Sequence, residues 1–238
     1  MIITVQEGWR RTMYKVCIFD LDGTLADTLD SLTFSVNATL KEMGLLPITR
    51  EECRLFVGNG ARVLLERALR AGGDEDLRRI DEAMERYGRI FDDNCTYHVV
   101  AYDGISEMLR EMKELGLSLA VLSNKPDRQA IHVVEEIFGK DTFQWIQGQK
   151  PGVPKKPDPT AVLEIAGKLG AQPREVIYIG DSEVDIATGE AAKMKTIGVS
   201  WGFRGREALE TEGAGVIVDT TREIIKWIDE NQEVESHE

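Results

Sequence analysis

Apolar and polar positions follow two rhythms along this chain, and the place where they change marks its plan. Val16-Cys17-Ile18-Phe19 is a short unbroken apolar run suited to a strand covered on both faces. It stops at Asp20-Leu21-Asp22-Gly23-Thr24-Leu25, which reads as the C-terminal end of that strand opening into a tight turn. From Asp27 to His98 the period becomes helical. Leu29, Leu32, Phe34, Val36, Leu40 and Met43 recur at helix-like intervals up to a stop at Gly44. Thr49 and Glu52 have capping-box spacing ahead of a second helix, whose apolar face runs from Leu55 to Leu69 through an interruption at Gly58-Asn59-Gly60. Asp74 is the predicted start of a third helix carrying Leu77, Ile80, Met84, Tyr87 and Phe91.

Beyond His98 strands and helices alternate, as in a parallel sheet covered on both faces. Helices are predicted over Asp103–Leu115, Asp127–Phe138, Pro159–Leu169 and Glu183–Ala192. Strands are predicted over Leu117–Leu122, Phe143–Gln147, Val176–Ile179, Thr196–Val199 and, at an edge, Val216–Val218. Thr220 and Glu223 space a final cap before Ile224, and the acidic stretch after Ile228 reads as a frayed end. Connections in α/β units usually run to about 2–6 residues. A 72-residue helical block after the first strand is therefore a small domain of its own and a candidate lid. The predicted fold is α/β, a Rossmann-like parallel sheet covered by helices with an inserted small α-helical cap. Its parts are an N-terminal extension (1–14), a core (15–26 and 99–238) and the cap (27–98).

Composition narrows the function classes. The 238 residues carry a formal net charge of -13, which disfavours nucleic acid or an anionic membrane as a partner. No apolar run is long enough for a membrane span. The extension has Arg10 and Arg11 but lacks the apolar core of a secretory signal. Cys17, Cys53 and Cys95 are scattered and odd in number, and His98, His132 and His237 lack ligand spacing, which points to a reducing cytoplasm and no zinc site.

Polar residues gather where the predicted strands stop. Pleating would put Asp20 and Asp22 on one side of the chain, close enough to share a divalent cation, with one free for covalent attack and the other for proton transfer. Ser123-Asn124-Lys125 follows Leu119–Leu122 with a hydroxyl and amides suited to a phosphate oxygen. Lys155-Lys156-Pro157 offers a lysine to neutralise a phosphoryl group, and Gly180-Asp181-Ser182-Glu183-Val184-Asp185 sets two more carboxylates at a strand-to-helix turn.

Taken in order, Asp20-x-Asp22-Gly23-Thr24, Ser123, Lys156 and Gly180-Asp181-x-x-x-Asp185 resemble the four signature motifs of the haloacid dehalogenase-like hydrolases. The second acid, Asp22, is similar to the phosphatase branch. Asp27-Thr28, Val57-Gly58-Asn59-Gly60 and Gly198-Val199-Ser200-Trp201-Gly202 resemble the phosphoglycolate phosphatase group, although Tyr102 stands where that group usually has Pro. The resemblance implies that Asp20 attacks phosphorus to give an aspartyl-phosphate and that Asp22 protonates the leaving alcohol and then activates water. It implies Mg²⁺ held by Asp20, the Asp22 main-chain carbonyl and Asp181, with Asp185 orienting Lys156 or a metal-bound water. Thr24, Ser123, Asn124 and Lys156 would meet the phosphoryl group.

The substrate so implied is a small anionic phosphorylated metabolite, handled by a cytoplasmic monomer or homodimer. In the cap, Gly58-Asn59-Gly60 would expose amides at a helix start to the substrate's carboxylate, with Arg62 as a second donor, and a closed lid would suit 2-phosphoglycolate. A sugar-phosphate mutase, a pyrophosphatase and a non-enzymatic phosphoacceptor remain as alternatives. The family's mutases tend to have Val where Thr24 stands, and an acceptor would have no use for a lid or a second acid.

Overall fold

The computed structural model describes residues 14–231. Of the extension expected over 1–14, residues 1–13 lie outside the described residues, as do the last residues of the acidic end, 232–238; Tyr14 is buried against Trp227. The chain opens with β1 (Val16–Phe19) and the two-residue β2 (Ala26–Asp27), then enters four helices: α1 (Leu29–Glu42), α2 (Arg50–Phe56), α3 (Ala61–Gly72) and α4 (Ile80–Asn94). It returns through β3 (Val100–Ala101) and continues as α5 (Ile105–Glu114), β4 (Ser118–Pro126), α6 (Asp127–Phe138), β5 (Trp145–Gln149) and α7 (Thr160–Lys168). A 3₁₀ turn at Pro173–Glu175 leads to β6 (Val176–Gly180), α8 (Glu183–Ala192), β7 (Lys195–Val199), α9 (Gly205–Thr211), β8 (Ile217–Val218) and α10 (Thr221–Asn231).

Six strands form one parallel sheet in the order β5-β4-β1-β6-β7-β8, so β1 lies between β4 and β6. Its four residues are wholly buried, each Val, Ile or Phe contributing about 1.5–3 kcal/mol by leaving water. Pleating sends alternate side chains to opposite faces. Cys17 and Phe19 join the core built with α5, α6 and α10, whereas Val16 and Ile18 pack with Val162, Ile165 and Ala166 of α7. The expected parallel sheet with helices on both faces is what the structure has.

The inserted helices pack on one another, and the chain leaves and re-enters the core through the antiparallel pair β2–β3, with Ala26 opposite Ala101 and Asp27 opposite Val100. Thr49 and Glu52 make the predicted capping box. The predicted second helix is two, because Val57 is extended and Gly58 and Gly60 have φ of +113° and +86°. The third begins at Ile80 rather than Asp74: Gly73 closes α3 in the left-handed region, and the Asp74 amide bonds back to Leu69. β2, β3 and α9 were not foreseen, and α10 carries on to Asn231, past the expected fraying at Ile228.

Candidate active site

Sheet register assembles the site. Phe19 pairs with Val121 on one side and Ile179 on the other, so Asp20, Ser123-Asn124-Lys125 and Asp181 emerge together at the C-terminal edge. Open α/β sheets bind ligands along that edge.

Lys156 is the hub of the acidic group. Its Nζ lies 2.9 Å from Asp20 Oδ1 and 2.8 Å from Asp185 Oδ1. Asp185 also accepts from Tyr178 Oη (3.1 Å), Ser182 N (3.1 Å) and Ser182 Oγ (2.6 Å). Four donors occupy the acceptor capacity of a carboxylate. Asp185 therefore serves to fix Lys156 and the start of α8. Burial pushes the Asp20 carboxyl up to about 7, with Lys156 opposing and the charges of Asp185 and Asp22 adding to the rise. Burial, then the charges of Asp185 and Asp20, hold the Asp181 carboxyl well above the carboxylate range. For Lys156, burial works downward but the carboxylates of Asp185 and Asp20 outweigh it, so the ammonium stays charged well past its ordinary range.

One oxygen from each of Asp20, Asp181 and Asp185 lies within 4.8 Å of the others. Three buried carboxylates around a single bonded ammonium leave an excess of negative charge that a hard cation relieves. Asp181 is held by the Phe203 amide at 2.7 Å and by Thr24 Oγ1 at 3.2 Å. Gly23, at φ +90°, gives it room, since a Cβ there would come within 2.5 Å of Asp181 Oδ2. The donor set fits a divalent cation held by Asp20 and Asp181, with Asp185 engaged elsewhere.

Asp22 departs from the expectation that it shares the cation through its carboxylate. The strand ends at Phe19, so turn geometry rather than pleat sets its direction. Its Oδ1 accepts from Thr28 Oγ1 at 2.6 Å and from Lys125 Nζ at 2.8 Å, on the cap side of the cavity. Its side chain is not part of the group of three acids, which leaves its main-chain carbonyl as the prospective ligand. Thr24 braces Asp181, and its carbonyl accepts from Trp201 Nε1 at 3.0 Å. It does not line the cavity. Ser123 does; its Oγ accepts from the Lys125 amide at 3.1 Å, which leaves its proton to donate. Asn124 lines the cavity too, but its side-chain amide is spent on main chain: Oδ1 accepts from Lys156 N at 2.9 Å, and Nδ2 donates to the carbonyls of Lys156 and Gly58.

The cavity between sheet edge and cap has about 580 Å³ of empty space, counting its open mouth. Acids and lysines of the core form its floor, and Leu32, Leu64, Tyr87 and Phe91 of the cap form an apolar roof. Three successive carbonyls of the cap loop are each held by a core side chain. Val57 O accepts from Arg204 Nη2 at 2.6 Å, Gly58 O from Asn124 Nδ2 at 3.0 Å, and Asn59 O from Lys155 Nζ at 2.6 Å. Arg204 also donates to Arg54 O at 2.7 Å, and Arg54 returns a bond to Phe203 O. The loop predicted to offer amides to a carboxylate is thus docked on the core through its carbonyls. Gly58 and Gly60 line the cavity, whereas Asn59 and Arg62 do not. Arg62 is exposed and pairs with Glu66 (3.3 Å) and Asp81 (3.0 Å).

Sequence reasoning placed Lys125 at a strand end without a role and passed over Arg204 and Phe203. The signal available for Lys125 was a lysine next to Ser123-Asn124 at the polar end of a buried strand. Arg204 and Phe203 follow the Trp201-Gly202 motif but carry no pattern of their own. Cys17, Cys53 and Cys95 are buried free thiols, and burial pushes Cys17 up to about 12.

The chain is similar in sequence and fold to known proteins. The phosphoglycolate phosphatase of Pseudomonas putida KT2440 is 31% identical over 90% of this chain and 79% of its own length. That of Pseudomonas syringae pv. syringae B728a is 32% identical over 89% and 78%. A crystal structure of a predicted phosphoglycolate phosphatase from Haemophilus somnus superimposes with a TM-score of 0.84 at 26% identity, covering 91% of this chain and 99% of that one. Residues 17–199 match the family model of the haloacid dehalogenase-like hydrolases, and the chain belongs to that family.

Proposed function

We propose that this hydrolase is a Mg²⁺-dependent phosphatase that cleaves a small phosphate monoester, 2-phosphoglycolate, through an aspartyl-phosphate on Asp20. In this reading residues 27–98 are the cap and 15–26 with 99–238 the catalytic core. The observation that carries it is the pairing, in one capped cavity, of a buried carboxylate bonded to Lys156 with a second acid two residues on that has separate partners. Asp20, Asp181 and the Asp22 carbonyl would hold the cation, which when bound neutralises charge between the Asp20 carboxylate and the phosphate.

The chain's own residues do the remaining work. Asp20 forms a bond to phosphorus as the ester oxygen leaves with a proton from Asp22. Asp22 then takes a proton from the water that releases inorganic phosphate, which returns both acids to their starting states. Lys156 and the Ser123 hydroxyl balance the phosphoryl oxygens, and the apolar roof keeps other water out. Both steps need an acid-base group with its own anchorage, which favours a turnover enzyme over a phosphoacceptor.

The test is inorganic phosphate release from a panel of phosphorylated metabolites, with Mg²⁺ and with EDTA. Release from 2-phosphoglycolate that requires the metal is the expected result. Full activity in EDTA, or preference for pyrophosphate over every monoester, would overturn the reading.

A further inference from the structure

We propose that Lys125 is the specificity-determining residue of this cavity: its ammonium binds the carboxylate of a short phosphorylated acid, beside the ester bond that breaks. The inference rests on the reading of Asp20 and Asp22 as the phosphatase pair.

The side chain of Lys125 is 1% exposed and lines the cavity. Its Nζ lies 2.8 Å from Asp22 Oδ1 and 4.8 Å from the centroid of the Phe91 ring. A lysine has three donors, and these contacts leave capacity for a second anion. Among the described residues, the other cations of the cavity wall are committed. Lys156, on Asp20 and Asp185, is the cation at the phosphoryl end, and Arg204 is bonded to Glu183 and to the carbonyls of Arg54 and Val57. Arg62 stands outside.

Spacing makes the carboxylate the natural occupant. To protonate the leaving group, Asp22 must touch the ester oxygen, and in a two-carbon phosphorylated acid the carboxylate begins one carbon beyond that oxygen. An ammonium already bonded to Asp22 is therefore beside it. Leu32, Leu64 and Phe91 are apolar members of the wall. They lower the local dielectric, which strengthens an ion pair, and they offer nothing to the hydroxyls of a sugar phosphate.

The test compares 3-phosphonopropionate with 3-hydroxypropylphosphonate, the uncleavable counterparts of 2-phosphoglycolate and 2-hydroxyethyl phosphate in which a methylene replaces the ester oxygen; the second has an alcohol where the first has the carboxylate. Each is measured as a competitive inhibitor of p-nitrophenyl phosphate hydrolysis in the Mg²⁺-loaded enzyme. Neither is turned over, so the inhibition constant reads binding alone and altered acid catalysis by Asp22 does not enter. The native enzyme should bind the acid about 10- to 100-fold more tightly, the range for a hydrogen bond to a charged group. Lys125→Met should bring the two inhibition constants within about threefold of each other, and Lys125→Arg should keep most of the preference. If Lys125→Met does not fold, Lys125→Gln, which can still bond to Asp22, is read the same way. No preference in the native enzyme, or a preference that survives loss of the charge, would overturn the proposal. Tight, Lys125-dependent binding of the acid by an enzyme that does not hydrolyse 2-phosphoglycolate would leave the proposal standing and remove that compound as the substrate.

Discussion

Replacing Lys156 with Met removes a charge while nearly keeping volume, and the structure says what that costs. The ammonium is bonded to two buried carboxylates, Asp20 and Asp185. Breaking a buried ion pair by deleting one partner typically costs about 3–5 kcal/mol, because the other charge stays desolvated. For a protein of this size 1 kcal/mol corresponds to about 2–4 °C in Tm, so a loss of about 6–20 °C is expected at pH 8 without metal. The penalty depends on pH. With Lys156 present the Asp20 carboxyl already stands at about 7, chiefly through burial, and deleting the cation drives it higher. A carboxyl whose folded value lies above its unfolded one contributes stability at low pH that is lost as pH rises toward the folded value. At pH 5 Asp20 is protonated in both proteins, so the deficit should shrink to the part owed to Asp185. Thermal melts followed by circular dichroism at pH 5 and pH 8 check this. A variant melting with the native protein at pH 8, or a deficit equal at both pH values, would refute the reasoning.

The same titration predicts that Mg²⁺ affinity climbs by at least about tenfold per pH unit below the Asp20 value of about 7, because the cation displaces a proton from Asp20 and, where Asp181 is protonated too, a second one; calorimetry across pH 5–8 checks the slope. Gly202→Ala should weaken Mg²⁺ binding by at least about tenfold, since a Cβ at Gly202 would overlap Asp181 and the Gly23 carbonyl; calorimetry at pH 8 decides. Arg204→Ala removes the core's hold on the Arg54 and Val57 carbonyls and should raise KM about tenfold with a smaller effect on kcat. Faster hydrogen exchange over residues 54–60 would accompany it.

The parts of this fold that were legible in the sequence are those that local chemistry dictates. Val16–Phe19 could only be a strand covered on both faces, and Thr49 with Glu52 could only open a helix cheaply. The predicted span Glu183–Ala192 matches α8 at both ends, where Ser182 and Asp185 form a reciprocal cap. The acids and Lys156 were legible as a group because separate strand ends carry them to one edge. What escaped depends on contacts distant in sequence. The direction of Asp22 is set by Lys125, 103 positions away. The role of Arg204 depends on carbonyls 147 and 150 positions earlier, and a carbonyl has no residue signature. Arg62 was misplaced for the same reason: helical phase gives its neighbours along the chain, but Asp81 on another helix draws it outward.

The central claim is that Asp20 becomes covalently phosphorylated and Asp22 resolves the intermediate. Asp22→Asn should slow turnover by about 10²- to 10⁴-fold, so the intermediate should outlive its formation when the leaving group is good. The most direct measurement is mass spectrometry of Asp22→Asn quenched in acid after exposure to p-nitrophenyl phosphate and Mg²⁺. The account predicts one added phosphoryl group on the peptide containing Asp20, removed by hydroxylamine and absent when Asp20 is also changed to Asn. A protein that turns over substrate yet never carries that group, or carries it on another residue, would contradict it.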